Sequence, residues 1–126
     1  MSIGNEHVAD LKTYLKEQMQ TKSPCLVALK SSGCSACVRL EKNGFFETLS
    51  RNCASNDIGL VMLSTDSYKV EDVHSFARNH GVEYLPSFIR LESADDKKGR
   101  IYDLRNNEGF DVQTLITFFK RCDKAN

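Results

Sequence analysis

Cys34-Ser35-Ala36-Cys37 follows Gly33 and stands between an apolar run, Cys25-Leu26-Val27-Ala28-Leu29, and a helix-patterned segment that continues through Leu40. No other stretch constrains the fold as much, because it sets a buried strand, a turn and a helix start side by side. A cysteine pair placed there has a physical consequence. The first thiol meets the free N–H groups and the positive end of the helix dipole, which stabilise a thiolate. The second lies one helical turn on, near enough to form a disulfide with the first. Cys34 therefore reads as the attacking thiol and Cys37 as the resolving one.

The rest of the chain supplies elements that can surround this strand and helix. Val8, Leu11, Leu15 and Met19 recur at helical spacing, which predicts an amphipathic helix over residues 6 to 19, broken by Thr21-Lys22-Ser23-Pro24. Residues 25 to 30 read as a central strand, and a helix runs from Ser35 to about Asn52 with a weak point at Asn43-Gly44. Ile58 to Thr65 is a second buried strand. Val70, Val73, Phe76 and Ala77 mark a helix that Gly81 ends. Ser87 to Glu92 and Arg100 to Leu104 form a hairpin across the polar turn 94–99. Asp111 caps a last helix with Val112, Leu115, Ile116 and Phe119 as its apolar stripe. The order is a βαβ half with parallel strands followed by a ββα half, so the fold class is α/β, a central mixed sheet with helices on both faces.

Length and charge bound the partners. The 126 residues, 40% of them hydrophobic, fit one domain spanning residues 1–126 and show no repeat or linker. Seventeen basic residues balance seventeen acidic ones, so no nucleic acid or anionic membrane is expected to be held by bulk charge. The first residues lack a cationic segment followed by an apolar run, and no window approaches a membrane span. Five cysteines, an odd number, argue against a fully paired secreted framework. A reducing, cytoplasmic setting is expected.

The whole chain resembles the thioredoxin family. The match rests on Cys34-Ser35-Ala36-Cys37 after the central strand, on Gly81-Val82-Glu83-Tyr84-Leu85-Pro86-Ser87 some way downstream, and on the closing hairpin and helix. The stretch Cys34 to Phe46, with Leu40-Glu41 and Phe45-Phe46, is more similar to the branch with the pattern CxxCxxLExxxF. The resemblance implies that Pro86 is cis and faces the cysteine pair. It also implies that Leu85 offers its backbone to an extended substrate strand, a β-augmentation mode of binding. Tyr84, beside Leu85-Pro86, is placed to line that groove. The implied activity is thiol-disulfide exchange on protein disulfides, with no cofactor of its own and with an external reductase or glutathione system as electron donor. A monomer is expected.

The chain departs from the family at several positions. Gly33 replaces the usual Trp, Ser35-Ala36 replaces Gly-Pro or Gly-His, and Lys42 replaces a helix-kinking proline. Ala28 stands where the family holds a buried carboxylate that moves protons for the second cysteine. Glu41, one turn beyond Cys37, is the residue read as assisting in its place. Lys30 is close enough upstream to favour the Cys34 thiolate, although a lysine ending a strand is more commonly just solvated.

Other readings compete. A structural zinc site wants four ligands in close pairs, whereas Cys25, Cys53, His74, His80 and Cys122 are scattered singly, so no metal is expected. Cys25 reads as a small core residue; Cys53 and Cys122 read as passive thiols at helix ends, open to solvent; His74 and His80 read as solvated or capping. The alternative function is a non-catalytic module that binds partners through the Tyr84-Leu85-Pro86 groove.

Overall fold

Cys25 to Leu29 are all buried, and this continuous run makes β1 (Cys25–Lys30) an interior strand rather than an edge. A computed structural model describes residues 11–20, 24–64, 70–82, 85–93, 99–102 and 111–124. β2 (Gly59–Ser64) lies parallel to β1, and β3 (Ser87–Leu91) lies antiparallel on its other side. β4 (Arg100–Ile101) pairs antiparallel with β3, which gives the sheet order β2-β1-β3-β4.

Alternation along the strands assigns the two faces. Leu26, Ala28 and Phe88 point into one core with Phe46, Leu49 and Cys53 of α3 (Phe45–Ser55) and Leu115, Ile116 and Phe119 of α5 (Val112–Lys124). Val27, Leu29, Val61, Leu63, Ile89 and Leu91 point into the other, with Leu11 and Leu15 of α1 (Leu11–Gln18) and Val73 of α4 (Val70–Asn79). Helices thus cover both faces, as a sheet apolar on both sides demands. β3 is buried throughout and includes Arg90, which is 1% exposed, pairs with Glu92, and lies with its guanidinium 4.9 Å from the Phe119 ring centre. Phe88 and Ile89 are both apolar because each meets a core on its own face of the sheet, which is why the strand's alternation is imperfect.

The segment after the cysteine pair forms two helices. α2 (Ser35–Lys42) stops at Asn43, and Gly44 turns the chain with a φ of 75° before α3 begins. Glycine takes that left-handed conformation without the Cβ penalty. Gly81, with a φ of 77°, ends α4 in the same way. The N–H of Thr114 donates to Asp111 Oδ1 at 2.9 Å, which caps α5.

Two expectations are corrected. Cys53 is 1% exposed, because α3 turns that position under the sheet rather than outward. His80 is 6% exposed; its ring lies 4.5 Å from the Phe76 ring, and its Nδ1 accepts the Gly99 N–H at 3.1 Å. It therefore ties the end of α4 to the start of the β3–β4 return strand instead of being solvated. His74 is exposed. The expected start of the first helix, the turn 94–98, the end of the β4 strand and the Cys122 side chain lie outside the described residues.

Candidate functional site

The β1–β3 register creates the site. Leu29 of β1 faces Ser87 of β3, so the chain leaving β1 toward Cys34 and the chain entering β3 from Leu85 meet at one end of the sheet. Ser31 shapes the turn between them. Its Oγ accepts the Gly33 N–H at 3.2 Å and its carbonyl accepts the Cys34 N–H at 3.2 Å. A serine two residues before a glycine was the sequence signal for such a turn.

Cys34 is the N-cap of α2, with extended backbone angles, and its Sγ accepts the Cys37 N–H at 3.1 Å. A sulfur in this position receives a backbone donor and the helix dipole together. The thiol also donates to the Leu85 carbonyl at 3.3 Å, across 51 residues of sequence. Leu85 is half-buried, Pro86 is buried, and the peptide bond between them is cis. The structure thus brings Cys34, Cys37, Leu85 and Pro86 together; Tyr84 lies outside the described residues.

Cys37 is 3% exposed. Its thiol is pushed up to about 12, first by burial and then by its hydrogen bond with Cys34; a backbone hydrogen bond from Ser31 pulls the other way without matching them. Because the fold favours the neutral thiol, this group's contribution to stability is complete below the ordinary value of 9.0. It is lost as the pH rises toward about 12. At about pH 8 the buried thiol holds roughly a thousandfold less thiolate than an ordinary cysteine. Iodoacetamide at that pH is expected to label Cys34 and spare Cys37, read by peptide mass spectrometry; equal labelling of the two would contradict the assignment.

Ala28 is fully buried among apolar side chains, in one core with Phe46, Leu49 and Phe88. The nearest described acid along the helix is Glu41, held by Lys30 Nζ at 2.8 Å. Lys30 also lies 4.7 Å from the Phe46 ring centre, so its ammonium is positioned by Glu41 and Phe46 instead of being simply solvated. A pair with Glu41 59% exposed is worth at most about 1 kcal/mol, so its role is positional. Lys30, Ser31, Ser32, Glu41 and Cys37 bound an open cavity of about 270 Å³. Cys37 thus contributes to the lining of this cavity, while the Cys34 sulfur lies against the Leu85 carbonyl.

Among the described residues, no three His, Cys, Asp or Glu side chains come together in a way that could hold a metal ion. No helix among them is long and apolar enough to cross a membrane.

No family model matches the chain, and no curated protein matches it. Its fold is similar to the structure of the first two thioredoxin domains of Eps1p from Saccharomyces cerevisiae, with a TM-score of 0.54 and 14% identity. The match covers 90% of this chain and 38% of that one. At this identity the likeness speaks for architecture alone, and with the mixed sheet and its flanking helices it establishes a thioredoxin-like α/β fold.

Proposed function

We propose that the protein is a thiol-disulfide oxidoreductase that reduces protein disulfides through Cys34 and Cys37. The observation that carries this reading is the Cys34 sulfur at the α2 N-terminus, accepting the Cys37 N–H beside the Leu85 carbonyl. The Cys34 thiolate attacks one sulfur of a substrate disulfide; the other sulfur leaves as a thiolate and takes a proton. Cys37, once deprotonated, attacks Cys34 in the mixed disulfide and releases the second substrate sulfur as a thiol. Two electrons pass to the substrate, and a Cys34–Cys37 disulfide remains. An external reductase or glutathione system in a reducing, cytoplasmic compartment would return the dithiol.

Resolution requires the proton of Cys37 to leave a site where Ala28 offers no base. In this proposal Glu41, fixed by Lys30 at the edge of the cavity that reaches Cys37, accepts that proton through water. Glu41→Gln is expected to slow the resolving step about tenfold or more near neutrality and to shift its pH profile upward, because hydroxide must then replace the carboxylate. Single-turnover reduction followed across pH tests this; an unchanged profile removes Glu41 from the mechanism.

The test of the function itself is alkylation and mass spectrometry of Cys34 and Cys37 across a series of glutathione buffers. A reversible Cys34–Cys37 disulfide is the expected result, and its midpoint distinguishes a reductant from an oxidant. If no such disulfide forms at any potential, the oxidoreductase reading falls.

A further inference from the structure

The segment from Ser31 to Cys34 carries the chain from the sheet to the cysteine pair. Upstream, Lys30 closes β1 opposite Ser64 of β2; downstream, α2 starts at Ser35. Both ends are fixed, so the turn between them decides where the Cys34 sulfur stands. Ser32 and Gly33 are exposed. A Cβ placed on Gly33 would meet, beyond its chain neighbours and among the described residues, only Ser31 Oγ at 3.7 Å. Packing against the rest of the fold does not hold the turn at Gly33.

Ser31 holds it by hydrogen bonds. Its Oγ accepts the Gly33 N–H at 3.2 Å, a serine turn, and its carbonyl accepts the Cys34 N–H at 3.2 Å, which closes the turn 31–34. A backbone hydrogen bond from Ser31 also reaches the Cys37 thiol. One residue thus touches both cysteines.

The two redox states ask different things of this turn. A disulfide keeps the Cα atoms of its cysteines about 4.4–6.8 Å apart, so a Cys34–Cys37 bond demands the turn whatever else supports it. The dithiol makes no such demand: if the turn is weakened, Cys34 relaxes and gains conformational freedom. Weakening the turn therefore burdens the disulfide, and the transition state that forms it, more than the dithiol. The quantity at stake is the effective concentration of one sulfur at the other.

Resting on the oxidoreductase reading, we propose that Ser31 is a positioning residue for disulfide closure: its hydroxyl, by holding the Gly33 N–H, keeps Cys34 where Cys37 can bond to it. The step it serves is the attack of the Cys37 thiolate on Cys34 in the mixed disulfide. The Cys34–substrate bond breaks, the Cys34–Cys37 bond forms, and the substrate sulfur leaves as a thiolate that takes a proton. Because the hydroxyl favours the oxidised product, it makes the dithiol a stronger reductant.

The test compares Ser31→Ala, which removes the hydroxyl and keeps the backbone contacts, with Ser31→Thr, which keeps the hydroxyl. Each full chain is equilibrated across the glutathione series, and the Cys34–Cys37 disulfide is read by alkylation and mass spectrometry. Ser31→Ala is expected to lower the equilibrium constant for disulfide formation about threefold to tenfold, the worth of one hydrogen bond, which raises the potential by roughly 15–30 mV. The resolving step should slow by the same factor in single turnover, and Ser31→Thr should restore both. Alkylation of reduced Cys34 should change less than about twofold in Ser31→Ala, because the Cys37 N–H that its sulfur accepts belongs to α2.

An unchanged equilibrium in Ser31→Ala overturns the proposal even if urea unfolding shows a less stable fold, since lost stability is all that a merely structural serine would produce. A shift that Ser31→Thr fails to restore overturns it as well. If the wild-type protein forms the disulfide and Ser31→Ala leaves its equilibrium unmoved, the oxidoreductase reading stands and the positioning role alone falls. Absence of the disulfide from the wild-type protein defeats both together.

Discussion

Cys34→Ser is expected to lose disulfide reduction by at least about a thousandfold, while Cys37→Ser performs the first attack and stops there. The two losses differ in kind because the two sulfurs differ in environment. Cys34 lies partly exposed at the α2 N-terminus with a backbone donor on its sulfur; Cys37 is 3% exposed and pushed up to about 12. Without Cys34 the proposed reaction loses its attacking thiol. Without Cys37 the mixed disulfide has no internal resolving thiol, so Cys37→Ser should accumulate a covalent adduct that survives denaturing gels and vanishes with reductant. Adducts in Cys34→Ser rather than in Cys37→Ser would reverse the assigned roles. Partner capture that persists with both cysteines replaced would point to a binding module instead.

Phe88→Ala should destabilise the fold by about 3–5 kcal/mol, a large share of the roughly 5–15 kcal/mol that holds a typical domain together. Phe88 is fully buried at the middle of the sheet, opposite Ala28, with its ring 5.9 Å from Phe45 and 6.4 Å from Phe46. A small residue already faces it on β1, so the cavity left by alanine has little to collapse into it. The damage should also reach the site, since Phe46 lies under the Lys30 ammonium that holds Glu41. Urea unfolding monitored by circular dichroism gives the stability. A loss below about 1 kcal/mol would mean that the core repacks around the gap.

Local chemistry made much of this legible. Cys25 to Leu29 read as a central strand because burial on both faces leaves an unbroken apolar run, and Asn43-Gly44 read as a weak point because glycine alone takes the turn comfortably. The cysteine pair read as a cap and its next turn because three-residue spacing is the geometry of a helix start. What stayed hidden depended on partners distant in the chain. Cys53 looked like a helix-end thiol until the α3 packing angle placed it under the sheet, and His80 gained its burial from Gly99, 19 residues away. Lys30 and Glu41 are 11 residues apart on different elements, a pairing that no single period displays. The burial of Arg90 was equally hidden, because the ring its guanidinium meets, Phe119, belongs to α5.

The 51-residue span of the Cys34–Leu85 contact also has a meaning in time. A ribosome releases Cys34, Cys37 and their helix cap well before it releases β3, and the cap forms from neighbours alone, whereas the Leu85 rim waits for a long loop to close. The newborn chain therefore completes the Cys34–Cys37 turn before it has the Leu85 carbonyl that the Cys34 thiol meets. On the proposed exchange chemistry, closure of β3 onto β1 ends the interval in which those thiols meet other unfinished chains without that rim.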